Sequence, residues 1–148
     1  MSKNKKKIFS KIVLASDHAG FELKELIKKH LARKRKKILD LGTDNNNSVD
    51  YPDFAHMLSK KITTKNQFGI LVCGSGIGMD MAANRHKNIR AALCYNAKST
   101  KLSRQHNNAN VMTLGARMTN KNVALKYVDI FLKTSFLGGR HSRRVKKI

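Results

Sequence analysis

The sequence predicts an α/β fold, a Rossmann-like three-layer α/β/α arrangement around a five-stranded parallel sheet. Strand-like and helix-like segments alternate five times along the chain, which is the pattern of a parallel sheet covered on both faces. One of those strands contains Ile70, Leu71 and Val72 in a continuous apolar run, as expected of a strand buried on both sides. That run ends at Cys73 and meets glycines at 74, 76 and 78, a strand-to-helix turn.

Taken in order, a strand is expected over 11–16 and a helix over 21–34. Phe21, Leu23, Leu26, Ile27 and Leu31 give that helix an apolar face at helical spacing. A second strand is expected over 38–41, then a polar loop over 42–50. Pro52, the only proline, stands at the start of a helix expected over 53–63, where a missing N–H is tolerated. The third strand is the 70–73 run and the fourth covers 89–94. A helix over 97–106, a fifth strand over 111–114 and a helix over 120–132 complete the alternation. Residues 1–10 read as a basic N-terminal extension and 11–148 as one domain, of a size that buries a real core.

Charge is the most extreme bulk property: 31 Lys and Arg stand against 9 Asp and Glu, a net charge of +22. Such a field attracts nucleic acid or small anions. No zinc-finger spacing, RNA-recognition aromatic motif or basic zipper is visible, so a solvated basic surface is favoured over nucleic-acid binding. No apolar run approaches the length of a membrane span. The N-terminus lacks an apolar segment suited to secretion, and two cysteines without such a segment point to a reducing cytoplasm and no disulfide.

In open α/β sheets, ligands bind beyond the carboxyl ends of the strands. The loops there supply Asp17, His18, Tyr51, Cys73, Ser75 and Arg117. Residues 73–78 read two ways. One is a tight turn with a structural thiol. The other is a nucleophile or base beside an anion cradle, where backbone N–H groups turn inward and favour thiolate. The spacing is neither a P-loop nor a dinucleotide fingerprint. Asp17 and His18 read as a ligand-binding pair or as loop hydrogen bonds. Cys94 reads as a core thiol, and His30, His56 and His86 as solvated. No local spacing supports a zinc site at Cys73 and His18. Arg140 and Arg144, at i and i+4, share a helical face. With His141 they form a phosphate clamp or a basic tail.

Several motifs occur together: Asp17-His18-Ala19-Gly20, Asp50-Tyr51-Pro52, Cys73-Gly74-Ser75-Gly76-Ile77-Gly78, Ala82-Ala83-Asn84, Ser103-Arg104-Gln105-His106-Asn107 and Gly138-Gly139-Arg140-His141. The chain from about 11 to 145 closely resembles the type B ribose-5-phosphate isomerases, of the superfamily that includes the allose- and galactose-6-phosphate isomerases. The resemblance implies a cofactor-free, metal-free aldose–ketose isomerase acting on ribose 5-phosphate through an enediolate, in the pentose phosphate pathway. It makes Cys73 the base and His106 the proton donor for ring opening. Backbone N–H groups of Gly74, Ser75, Gly76, Ile77 and Gly78 would hold the enediolate oxygens. Asp17, His18, Tyr51 and Asn107 would contact the sugar. Arg117, Arg140 and Arg144 would contact the phosphate, with His141 nearby.

Asn108 departs from the acid that many relatives carry after His-Asn. Some relatives lack the Cys and use a carboxylate just past the last glycine. Here that place is Met79, and Asp80 lies about 100° further round a helix. The alternatives are a six-carbon sugar-phosphate isomerase and, less favoured, a basic nucleic-acid-binding protein. A homodimer, or a tetramer, with a site shared between chains is expected from topology. Cys73 follows the carboxyl end of its strand, whereas His106 precedes the amino end of the fifth.

Overall fold

The computed structural model describes residues 11–148. The basic extension inferred for residues 1–10 lies outside the described residues. The elements are β1 (Lys11–Ser16), α1 (Phe21–Arg33), β2 (Ile38–Asp40), α2 (Tyr51–Lys61), β3 (Gln67–Cys73), α3 (Ile77–Ala83), β4 (Ala91–Leu93), α4 (Ala97–Gln105), β5 (Val111–Gly115), α5 (Lys121–Lys133) and α6 (Arg140–Val145). The strands form one sheet in the order β2-β1-β3-β5-β4, and every pair is parallel. From β1 the chain moves outward to β2, then returns to β3 on the other side. β1 and β3 therefore flank the point where the winding reverses, and the crevice beyond their carboxyl ends is where such sheets bind ligands.

The side-chain alternation of each strand divides the core in two. Ile12, Leu14, Ile70, Val72, Met112 and Leu114 pack against Leu23, Ile27 and Leu31 of α1 and Val128 and Phe131 of α5. Val13, Ala15, Leu71, Cys73 and Val111 pack on the other face against Ala55 and Leu58 of α2 and Met79 and Ala83 of α3. Both layers consist mainly of aliphatic side chains with almost no exposure, so burial on both faces of the central strands is the dominant stabilising term.

Most element boundaries shift by one to three residues from the sequence reading, and three of the differences have a clear local reason. The helix expected from residue 53 already begins at Tyr51, and Pro52 sits inside its first turn, where no intrahelical donor is lost. The fourth strand is only Ala91–Leu93, because the Arg90 N–H is taken by the Asn110 side chain at 2.8 Å instead of by a strand. α6 begins after Gly138 and Gly139, both at positive φ, and turns the basic C-terminal segment into a helix. The histidines expected to be solvated have partners. His30 Nε2 lies 2.8 Å from Asp129 Oδ1, and His56 Nδ1 lies 2.7 Å from His86 Nε2. The lysine of α1 that would read as surface, Lys24, is buried. Its ammonium meets Asp40 and Glu25 at 2.8 Å each, while Lys28 meets Asp40 at 3.0 Å. Among the described residues, no helix is long and apolar enough to cross a membrane.

Candidate active site

The turn after β3 is set by backbone requirements. Gly76 sits at φ +80°, and a Cβ there would lie 2.7 Å from Leu93 Cδ1 and 2.9 Å from the Leu114 carbonyl carbon. Only glycine meets both conditions without displacing the sheet. Held this way, the Gly76 N–H donates to Cys73 Sγ at 3.1 Å. Cys73 is buried at the end of its strand, and the sulfur accepts a backbone dipole aimed straight at it. The Ile77 N–H donates to Ser75 Oγ at 3.2 Å, which fixes the shape of the turn.

Neighbouring strand ends close around this thiol. The Ala116 N–H donates to the Cys73 carbonyl at 2.8 Å and the Arg117 N–H to the Gly74 carbonyl at 3.0 Å. The Arg117 guanidinium thereby lies over Gly74, 3.1 Å from the place a Cβ would occupy. Tyr51, at the start of α2, lays its ring against Gly78, where a Cβ would come within 2.6 Å of it. From β1, the Asp17 N–H donates to the Val72 carbonyl at 3.2 Å, and its carboxylate accepts the Gly20 N–H at 3.0 Å. His18 Nδ1 accepts the Val49 N–H at 3.2 Å, which leaves Nε2 for a ligand. Asp17 and His18 therefore do make loop hydrogen bonds, and those bonds aim the remaining oxygen and nitrogen.

His106, Asn107, Arg140, His141 and Arg144 stand elsewhere. His106 caps the C-terminus of α4, its N–H donating to Leu102 O at 2.9 Å. Its ring stacks on His141 with centroids 4.2 Å apart and planes 13° from parallel. Partial burial, His106 and the charges of Arg140 and Arg144 push His141 below the ordinary histidine value. The Leu137 N–H donates to Gln105 O at 3.1 Å and ties the approach to α6 onto the end of α4.

These two clusters lie at opposite ends of β5. Gly115, at its carboxyl end, pairs with Cys73. Val111, at its amino end, follows the turn that leaves His106. Five strand residues span ~17 Å. Within one chain, the sequence-predicted set is thus divided: Asp17, His18, Tyr51, residues 73–78 and Arg117 share one end, and His106, Asn107 and α6 share the other. The predicted phosphate contacts divide the same way, with Arg117 apart from Arg140 and Arg144.

Asp80 is engaged by β5 and by its own helix. Its carboxylate accepts from Thr113 Oγ1 at 3.1 Å and from Asn84 Nδ2 at 3.4 Å, and burial raises its pKa against those bonds. Cys94 is a core thiol that burial pushes up to about 12. Among the described residues, no group of three or more His, Cys, Asp or Glu is placed to hold a metal.

The residue that sequence reasoning passed over is Arg104. Its guanidinium is buried and donates to Thr134 O and Asn108 Oδ1 at 3.1 Å each, and to Ala109 O. It also lies over the Phe68 ring, 4.8 Å from the centroid. Burial, then the like charge of Arg90, pulls it down to about 10. Arg104 holds the turn that carries His106, and its only sequence signal was its place between Ser103 and Gln105 in the motif.

A family model described as Ribose/Galactose Isomerase matches residues 12–148. The ribose-5-phosphate isomerase B of Escherichia coli is 39% identical over 139 residues, covering 93% of each chain. The crystal structure of a ribose 5-phosphate isomerase from Thermotoga maritima is 49% identical with a TM-score of 0.90, covering 93% of this chain and 96% of that one. The ribose-5-phosphate isomerase B of Mycoplasma genitalium, solved with bound ribulose-5-phosphate, is 44% identical with a TM-score of 0.88, over 93% of this chain and 92% of that one. Sequence, fold and the residues gathered around Cys73 agree, and the chain belongs to the ribose/galactose isomerase family.

Proposed function

We propose that this protein interconverts ribose 5-phosphate and ribulose 5-phosphate as an aldose–ketose isomerase, in a site shared by the two chains of a homodimer. The observation that carries the proposal is the Gly76 N–H to Cys73 Sγ contact at the point where the sheet's winding reverses. The Mycoplasma genitalium relative binds the ketose of this pair, which supports the choice of substrate.

In this reading His106 of one subunit protonates the ring oxygen of the sugar lying over Cys73 of the other, the ring C–O bond breaks, and the proton on oxygen 1 passes to solvent, leaving the aldehyde at carbon 1. The Cys73 thiolate removes the proton from carbon 2, and the electrons move onto the carbonyl oxygen of carbon 1 to give an enediolate. Within the 74–78 turn, the backbone N–H groups not taken by Cys73 Sγ and Ser75 Oγ, those of Gly74, Ser75 and Gly78, hold the developing oxyanion, where preorganised donors are most effective. The thiol then returns its proton to carbon 1, and the proton on oxygen 2 passes to solvent or to oxygen 1, leaving the ketone at carbon 2. Asp17, His18, Tyr51 and Asn107 orient the hydroxyls. Arg140 and Arg144, with His141 beside them, clamp the phosphate from the second subunit, and Arg117 adds charge from the first. Proton transfer at a carbon next to a carbonyl needs a base and oxyanion donors, both present as protein groups, so the proposal assigns no cofactor or metal.

The test is purified protein with ribose 5-phosphate, allose 6-phosphate and galactose 6-phosphate in parallel, ketose formation being read by absorbance. Turnover highest with ribose 5-phosphate is expected, unaffected by exhaustive EDTA treatment. Preference for a six-carbon substrate, or loss of activity restored by metal, would contradict the reading.

A further inference from the structure

A second cavity, of about 620 Å³, opens at the amino end of the sheet beside α6. Its lining includes Lys65, Arg90, Arg104 and Lys146, the rings of Phe68 and Phe136, and no Asp or Glu. Arg90 spends only Nε on the protein, donating to Asn108 O at 3.0 Å, so its terminal nitrogens have no acceptor among the described residues. Arg104 spends Nε and Nη1 on carbonyls and Asn108, leaving Nη2. One buried and one half-buried guanidinium, with no carboxylate between them, repel each other and carry unspent donors. Such an arrangement is costly unless an anion completes it.

α6 stands between this cavity and the phosphate clamp described above. At 100° per residue, Ser142, Val145 and Lys146 face the cavity, while Arg140, His141 and Arg144 centre about 150° further round. The helix is thus a wall with a different cationic surface on each side. A lone phosphate occupies far less than this volume, and one guanidinium fork is enough to hold it. Four cations around a cavity of ligand size match a chain of phosphates.

We propose that this cavity binds a metabolite carrying a polyphosphate group, at a site separate from the one around Cys73. Arg90 grips the inner phosphate with both terminal nitrogens of its guanidinium, Arg104 adds a bond from Nη2, and Lys65 and Lys146 neutralise the outer charge at the rim.

The experiment is titration calorimetry of the full chain with inorganic pyrophosphate, and separately with ATP, at 0.15 M salt and saturating ribose 5-phosphate. One site per chain is expected. Arg90→Gln should weaken binding by about tenfold, the scale of a lost charge-assisted bond. The rim pair Lys65→Gln with Lys146→Gln, both exposed and harmless to folding, should weaken it by about fivefold, and Lys121→Gln on α5 should leave it unchanged. Equal binding of the two probes means that only phosphates are read; tighter ATP binding means that the base is read as well, and either supports the proposal. No binding of either probe, displacement by the sugar phosphate, or equal affinity in the Lys121→Gln protein and both cavity variants would overturn it. None of these outcomes depends on the protein turning over ribose 5-phosphate.

Discussion

The two ends of the sheet are built on different principles. At the carboxyl end, each functional group is held by the backbone of a strand terminus: Cys73 by Gly76, Arg117 by Gly74, Asp17 by Val72 and Gly20. Acid and base charges both occur there. At the amino end the charged groups are cationic or histidine side chains, held largely through side chains: a stacked ring pair, and one buried guanidinium that joins the turn after α4 to the exit of α5 and the start of β3. In the proposed mechanism the first end is a preorganised cradle for a developing negative charge. The second is a concentrated positive surface whose natural complement is an anion. An enzyme that binds a sugar at one end and a phosphate at the other needs both, and one chain keeps them a strand length apart.

The largest effect is expected at the cradle. Cys73→Ala should lower kcat by about 10²–10⁴-fold, the usual contribution of a positioned base, while leaving the thermal midpoint close to wild type. Near-normal turnover in that variant would remove the thiol from the mechanism.

Next is the positive surface. Arg140→Ala or Arg144→Ala should each cost about 2–3 kcal/mol of charge-assisted binding, read as KM rising by about 30–150-fold, and inorganic phosphate should compete with substrate. An unchanged KM in both variants would return α6 to the status of a basic tail.

A smaller effect falls on stability. Arg104→Met keeps the apolar stem over Phe68 but leaves the Thr134 and Ala109 carbonyls without their donor, at a cost of about 2 kcal/mol in chemical denaturation. Activity should fall with it, because the turn carrying His106 loosens. A cost under about 0.5 kcal/mol would show that water replaces the guanidinium there.

Smallest is the ion-pair cluster at the sheet edge. Burial raises the Asp40 carboxyl, but hydrogen bonds from Lys24, the Gly42 N–H and Lys28 outweigh it and hold the group below the ordinary carboxylate value. A depressed folded value means that the stabilisation is present above the unfolded pKa of ~3.9 and is lost as pH falls through the folded one. Asp40→Asn should therefore cost about 1–2 kcal/mol at pH 7, with the difference from wild type shrinking below about pH 4. A difference that stays constant down to pH 3 would rule out the charge as its source.

The contrast between the ends also explains what the sequence made legible. The cradle was readable because its signals are local: an apolar run, a cysteine and three alternate glycines fix a strand, its end and a turn within nine residues. The five-strand alternation was readable for the same reason. The amino end depends on contacts between distant segments. Nothing near Arg104 indicates that it meets Thr134, and nothing near His106 indicates that it stacks on His141. Lys24 reads as one more surface lysine until β2 brings Asp40 against it. Pro52 marked a helix start correctly in kind but two residues late, since proline is tolerated throughout the first turn.

The central claim is that a working site takes Cys73 from one chain and His106 from another. Cys73→Ala and His106→Ala proteins, each inactive alone, are to be mixed in equal amounts under conditions that exchange subunits, and isomerase activity followed with time. A shared site gives each mixed dimer one intact centre, so with random pairing about a quarter of wild-type activity should return. If each chain carried its own complete centre, every centre in the mixture would keep a defect, and activity would stay at the level of the separate variants.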